Sequence, residues 1–289
     1  MASPKTRFLN TFRRLLRNRP AENVLIRMNR SEGWIGKLGR KLTPGNELYQ
    51  PNTRRPAERN GMRFNLNVSD YIEHYSYFGF YDNEFESLMA LGQGKKSVFD
   101  IGSNIGFVAL NLSAQLAEGG KLYAFEPDPT NFSSLQANVA LNPEAPVIIE
   151  NKGLGNEEGQ LKLVVDTPEN RGGNRIVKDA QSDFTLVDIT TLDLYCSRNS
   201  IETIDMIKID VEGFEMNVLK GGQQMISTHK PELFIEINDV HLRLQHNSAE
   251  EVIRFLEQYY SKIYDAGTNE PVDSTQDFSN RHFDVIARN

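Results

Sequence analysis

Cysteine is nearly absent from this 289-residue chain. The single one, Cys196, has no intrachain partner, which excludes a disulfide-stapled scaffold and favours a reducing compartment. Long hydrophobic runs are missing as well. No stretch approaches the roughly 18–20 apolar residues that a membrane-spanning helix needs, and no apolar core of a secretory signal follows the N-terminus. A cytoplasmic location is therefore expected. With one cysteine and five histidines, no cluster has the ligand spacing of a zinc site, and no metal is expected.

Charge of one sign is also scarce, but only locally. Residues 1–60 hold 14 Lys and Arg against 4 Asp and Glu, a net of +10, and the remainder carries −17, giving the chain its −7. Within this basic arm Phe8, Phe12, Leu15 and Leu16 recur at helical spacing among Arg7, Arg13, Arg14, Arg17 and Arg19. Pro20 should end that helix. Three readings fit it: packing on the acidic body of its own chain, peripheral contact with an anionic membrane through residues 5–19, and nucleic acid. No basic pattern with interleaved aromatics elsewhere supports the last, so no nucleic acid partner is expected.

Residues 31–60 are rich in Gly, Pro, Asn and Arg and read as irregular linker. The expected division is thus a basic arm over 1–60 and a catalytic-type domain over 61–289. Phe64, Leu66 and Val68 alternate as in a half-buried strand. Asp70 with Glu73 suits a helix start, and a helix is expected from Tyr71 to Leu91. It is unusually aromatic (Tyr71, Tyr75, Tyr77, Phe78, Phe80, Tyr81, Phe85), as core or as a lid. From Ser97 onward strands alternate with helices: 97–101, 121–126, 147–149, 206–210 and 231–237, with a terminal hairpin of 261–265 and 282–287. That pattern implies a mostly parallel sheet covered on both faces. Leu161–Val165 and Phe184–Ile189 interrupt it as an antiparallel pair.

The most informative stretch is Val98-Phe99-Asp100-Ile101-Gly102-Ser103-Asn104-Ile105-Gly106, a strand running through an acid into a two-glycine turn before a helix. Such turns hold nucleotide-type cofactors at the carboxyl end of a parallel strand. A dinucleotide site wants G-x-G-x-x-G, but Asn104 stands at the second glycine, and Asp100 sits badly beside a pyrophosphate. An acid there suits a cofactor with an ammonium or sulfonium group, such as S-adenosylmethionine (SAM). Lys121–Glu126 is a second strand ending in a carboxylate. Glu126 follows Gly106 by the roughly 20 residues at which an acid reaches ribose hydroxyls.

DIGSNIG, AFEPDP, KIDVEGFE and PELFIEI, in this order, resemble the FkbM family of SAM-dependent methyltransferases, from about Asp70 to the C-terminus. The resemblance implies a class I methyltransferase (Rossmann-like) fold: a doubly wound α/β seven-stranded sheet with an antiparallel last strand. It implies methyl transfer, usually to oxygen, with a hydroxyl on a sugar, glycan or secondary metabolite as acceptor. Cofactor contacts would fall on Asp100, Gly102, Asn104, Gly106 and Glu126, and near Leu154, where this fold usually holds an adenine ring. The family commonly carries asparagine at the position of Asn104.

Strand ends four and five should flank the reacting methyl group. Asp210, Glu212 and Glu236 lie there. Asp210 leads as base or substrate binder, because an acid ending a hydrophobic strand is costly unless used. His241 is the alternative base. The three carboxylates would also suit Mg²⁺ as oxygen ligands. Glu215 reads as a favourable charge at a helix N-terminus, and Lys208 is a weaker candidate. Two rival readings are an NAD-dependent oxidoreductase, disfavoured by Asp100 and Asn104, and a catalytically idle, membrane-associated scaffold built on the same fold.

Overall fold

Residues 4–80, 83–165, 167, 171–177 and 183–289 are described by a computed structural model. The chain divides into one unit of Met1–Glu58, Arg63–Tyr81 and Pro168–Gly172, and another of Arg59–Met62, Asp82–Thr167 and Gly173–Asn289.

The first unit opens with helices α1 (Pro4–Leu15), α2 (Arg19–Asn29) and α3 (Gly33–Leu42). The first helix has ended before Pro20, which instead sits in the first turn of α2 behind the cap Asn18, whose side chain accepts from Ala21 N. Proline suits that position because no N–H is needed there. The stretch expected as irregular linker is ordered. It carries α3, a 3₁₀ turn at Asn46–Leu48, and strand β1 (Arg54–Arg59), which pairs with β2 (Met62–Asn67). Its glycines are packing residues, not loop formers: Gly36 and Gly39 are buried on α3, where a Cβ would overlap Ser31 O and Asn29. The boundary expected at residue 60 falls at the tip of the β1–β2 hairpin. Helix α4 (Tyr71–Phe78) is capped by Asp70, which accepts from Glu73 N at 3.0 Å, and is stopped by Gly79 at φ +69°. The single helix expected over 71–91 is therefore two, the second being α5 (Asn83–Gly92). Tyr81 lies outside the described residues.

The second unit runs α5, β3 (Ser97–Ile101), α6 (Phe107–Ser113), β4 (Lys121–Phe125), α7 (Pro129–Ala140), β5 (Val147–Glu150), β6 (Gly153–Leu154), β7 (Gly159–Val164), β8 (Arg175–Val177), β9 (Phe184–Thr190), α8 (Leu192–Arg198), β10 (Met206–Ile209), α9 (Glu215–Gly221), α10 (Gln223–His229), β11 (Glu232–Asn238), α11 (Asp239–Leu244), α12 (Ala249–Leu256), β12 (Lys262–Asp265) and β13 (His282–Arg288). Seven strands form one sheet in the order β12-β13-β11-β10-β3-β4-β5. β13 is antiparallel to both neighbours, and the pairs β11–β10–β3–β4–β5 are parallel. This is the strand order and the one reversed strand of the class I methyltransferase fold. All of β10 is buried, as is β3 beyond Ser97, because central parallel strands are covered on both faces. Sequence reasoning passed over the short helices α8, α10 and α11. The expected antiparallel pair is present as β7 and β9, in a second sheet of order β6-β9-β7-β8.

The first unit is held from within by one carboxylate. Glu22 on α2 is 0% exposed. Its Oε1 accepts from Tyr49 Oη (3.1 Å) and Arg55 Nη2 (3.2 Å), and its Oε2 from Tyr77 Oη (3.0 Å) and Arg55 Nε (2.9 Å). All four acceptor positions of a carboxylate are thus filled. Replacing one partner of a buried pair strands the others, typically at about 3–5 kcal/mol. Glu22→Ala is expected to destabilise the chain on that scale, read as a lowered urea midpoint. A loss under about 1 kcal/mol would put the cluster in the class of exposed ion pairs.

Candidate active site

The strand order reverses at β3, which has β4 on one side and β10 on the other. Ligands of open α/β sheets bind outside the carboxyl ends at such a point. The turn after β3 is wound by three left-handed residues in alternation: Gly102 (φ +83°), Asn104 (φ +50°) and Gly106 (φ +81°). Asparagine is one of the few side chains that tolerates this region, so Asn104 replaces a glycine without changing the path of the chain. Gly102 has no alternative, since a Cβ there would overlap the Asp210 carbonyl oxygen. Gly102 N and Ser103 N both donate to Phe125 O, at 3.0 and 2.9 Å, and tie the turn to the end of β4.

Glu126 begins where β4 ends. Its Oε2 accepts from Asn104 N (2.8 Å) and its Oε1 from Asp128 N (2.9 Å). Burial pushes its carboxyl up to about 8, against those two hydrogen bonds. Each oxygen takes one of these bonds and has two acceptor positions, which fits the vicinal hydroxyls of a ribose.

Lys208, the third residue of β10, is 4% exposed. Its Nζ lies 3.2 Å from Asp100 Oδ1 and 3.0 Å from Asp210 Oδ2, and it donates to Gly102 O at 3.0 Å. Burial opposes its charge, but the two carboxylates prevail and hold the ammonium above its usual range. Asp100 is 0% exposed, and burial raises its carboxyl despite Lys208. Beyond this ion pair, neither of its oxygens has a hydrogen-bond partner among the described residues. The direct contact expected between Asp100 and a cofactor cation therefore meets a different geometry: its cation is the chain's own lysine.

The four residues read as catalytic candidates come together. Ligand atoms of Asp210, Glu212 and Glu236 all lie within 4.8 Å of one another. His241 Nδ1 is 2.8 Å from Glu212 Oε2. The neighbouring carboxyls of Asp210 and Glu236 are shifted in opposite directions by their surroundings. Burial and the negative charge of Asp210 push Glu236 well up. Burial works against the Asp210 anion too, but Lys208 and the neighbouring Glu236 carboxyl hold it low. Their surroundings thus push two neighbouring carboxyls apart, the pattern that separates acid from base. Glu212 adopts φ +52° and Gly213 φ +99°. A Cβ on Gly213 would press on the backbone of His241, so this strained turn lets β10 and α11 approach closely. Left-handed backbone at a non-glycine residue such as Glu212 costs free energy that the surrounding structure must offset.

Leu154 is 1% exposed and packs in the main core cluster, so any contact it offers a ligand is through its backbone. Sequence reasoning missed His282, whose Nε2 lies 2.9 Å from Glu236 Oε1. It arrives on the antiparallel β13, 46 residues away, and only pairing against β11 reveals it.

The description of the methyltransferase FkbM domain matches residues 100–263, more than half of the chain. The chain belongs to the FkbM methyltransferase family. Among curated relatives, the hexuronic acid methyltransferase AglP of Haloferax volcanii is 30% identical over 124 residues, 43% of this chain and 48% of that protein. The 2-O-methyltransferase NoeI of Sinorhizobium fredii is 26% identical over 148 residues, 45% and 58% of the two chains. The chain spans about half the length of the curated relatives it matches. A solved FkbM methyltransferase from Methylobacillus flagellatus covers 93% of this chain and 58% of its own at 18% identity, with a TM-score of 0.43. The fold assignment rests on strand order and direction.

Two predictions follow the buried charges. Lys208→Met leaves Asp100 as an uncompensated buried acid and is expected to cost about 3–5 kcal/mol. Adding Asp100→Leu should restore part of that loss in urea unfolding, and no restoration would show that the lysine acts through Asp210 alone. Glu215, 1% exposed, accepts from Gly213 N at 2.9 Å through Oε1, while Oε2 has no hydrogen-bond partner among the described residues. Burial pushes it up to about 7 from 4.5. Between those values the native state keeps a proton that the unfolded chain has lost, so this contribution to stability falls as pH rises. Glu215→Gln keeps the Gly213 bond and removes the titration. Its stability relative to wild type should climb from pH 5 to pH 8, and a difference independent of pH would refute the assignment.

Proposed function

We propose that the second unit transfers a methyl group from SAM to a hydroxyl, with a sugar hydroxyl as the acceptor class. What carries this reading is the Asp210–Glu236 carboxyl pair at the ends of β10 and β11, with the Asp210 backbone carbonyl packed on Gly102 of the turn after β3. The sugar class draws on the names of AglP and NoeI.

Gly102, Asn104 and Gly106 let backbone approach the cofactor, and Glu126 accepts from its ribose. Asp100 acts as a positioning residue: it holds Lys208, which in turn holds Gly102 O. The bound cofactor supplies an electrophilic methyl group on a sulfonium. Asp210 would take the proton of the acceptor hydroxyl as its oxygen receives that methyl group, with S-adenosylhomocysteine as the leaving group. Aligning the reactants provides much of the rate, roughly 7–11 kcal/mol in well-oriented systems. Proton removal by a placed base adds about 10²–10⁴-fold. The Glu212–His241 pair fixes the imidazole ring beside the acceptor, and Glu236, shifted toward its neutral form by burial and by Asp210, stands beside the Asp210 carboxylate.

Calorimetric titration should show S-adenosylhomocysteine binding and no NADH binding, and Glu126→Ala should weaken the former. With labelled SAM and a panel of sugars and uronic acids, Asp210→Asn is expected to lower turnover about 10²–10⁴-fold with affinity for S-adenosylhomocysteine nearly kept. Wild-type turnover by that variant would remove Asp210 from catalysis.

A further inference from the structure

Helix α3, GWIGKLGRKL, wears its amphipathic pattern inside out. Its buried residues are the glycines Gly36 and Gly39. Its large apolar residues face solvent: Trp34 is 73% exposed, Ile35 39% and Leu38 37%. The inner face is fixed by close packing, because a Cβ on either glycine would overlap backbone or side chain of residues 28–31. The outer face is therefore not a core that failed to find its partner within this unit. Helix α1 repeats the arrangement, with Phe8, Phe12 and Leu15 on one stripe at 81%, 47% and 72% exposure. The helices are tied together by Arg13, whose Nε and Nη2 donate to Lys41 O at 3.1 and 2.6 Å. Half of the exposed large apolar residues among the described residues lie between positions 8 and 38.

The charge around this surface has one sign. Residues 1–42 contain eleven Lys and Arg and two acids, Glu22 and Glu32, and Glu22 is wholly buried. Arg14, Arg27, Arg30, Lys37, Arg40 and Lys41 are exposed. Apolar side chains ringed by cations are the chemistry of an interfacial helix on anionic lipid, where rings and aliphatic groups enter the acyl boundary and cations meet headgroups. Leu15, Ile35 and Leu38 have nothing to offer a nucleic acid, which they can neither stack on nor hydrogen-bond. No helix among the described residues is long and apolar enough to cross a membrane. We infer that α1 and α3 form a docking surface for an anionic phospholipid bilayer, lying on it with Trp34 inserted. This inference is independent of the methyl-transfer reading.

Trp34 is the only tryptophan of the chain, so its emission reports insertion directly. The full chain is mixed with phosphatidylcholine vesicles containing about a third phosphatidylglycerol, with pure phosphatidylcholine vesicles, and with duplex RNA. A blue shift, with quenching by brominated acyl chains, is expected in the anionic vesicles only and should fade as salt is raised. Lys37→Glu with Lys41→Glu should weaken binding at least about 25-fold, each cation near such a surface contributing about fivefold. Trp34→Ser with Leu38→Ser, read by sedimentation, should also abolish it, with circular dichroism unchanged. Unaltered emission with anionic vesicles would overturn the inference. So would equal binding to neutral vesicles, binding of RNA in place of vesicles, or a self-association that Trp34→Ser removes without any vesicle binding.

Discussion

The second unit depends on a buried ammonium in the middle of its sheet. Lys208 interrupts an otherwise apolar strand, and a charge at 4% exposure is tolerated only with partners. Sheet geometry provides them. Parallel pairing sets Lys208 opposite Asp100 on β3, and the two-residue period of a strand brings Asp210 to the face of Lys208. The same ammonium binds the carbonyl of Gly102, the first left-handed residue of the turn. One cation thereby fixes the cofactor-type turn and the leading catalytic candidate relative to each other.

Register also explains how four candidates from two sequence regions converge. Ile209 pairs with Ile235 in the parallel ladder, so the next step along both strands sets Asp210 beside Glu236. Two acids at that distance cannot both ionise easily. Lys208 decides which one does, because it touches Asp210. The left-handed pair Glu212 and Gly213 then turns the chain so that Glu212 meets His241 from the start of α11. The acid–base asymmetry is a product of the strand ladder and needs no separate device.

What the sequence made legible follows from range. DIGSNIG and the acid of AFEP are local signals: hydrophobic strand, acid, turn residues, helix. The alternation of strands and helices gave the parallel sheet, and the terminal hairpin gave its reversed strand. Contacts set by pairing were not legible. Asp100 reads locally as an acid facing a ligand, and only the β3–β10 register shows that Lys208 reaches it first. His282 is invisible for the same reason. Residues 31–60 were misread because glycine was taken as a loop former, whereas Gly36 and Gly39 serve close packing of α3 on the residues around Asn29.

The first unit shows why an apolar outer face is affordable. Its interior is organised by Glu22, which draws together a helix, a strand and two tyrosines from four separate segments through directional bonds. Burial and the adjacent carboxylate both push Tyr77 up to about 12, so its hydroxyl keeps its proton and remains a donor across the physiological range. A cluster whose donors do not titrate and whose acceptor positions are all filled specifies one arrangement. With α2 and α4 fixed in this way, Trp34 and Leu38 on α3 and Phe8 on α1 stay out of the core and are left for a surface outside the chain.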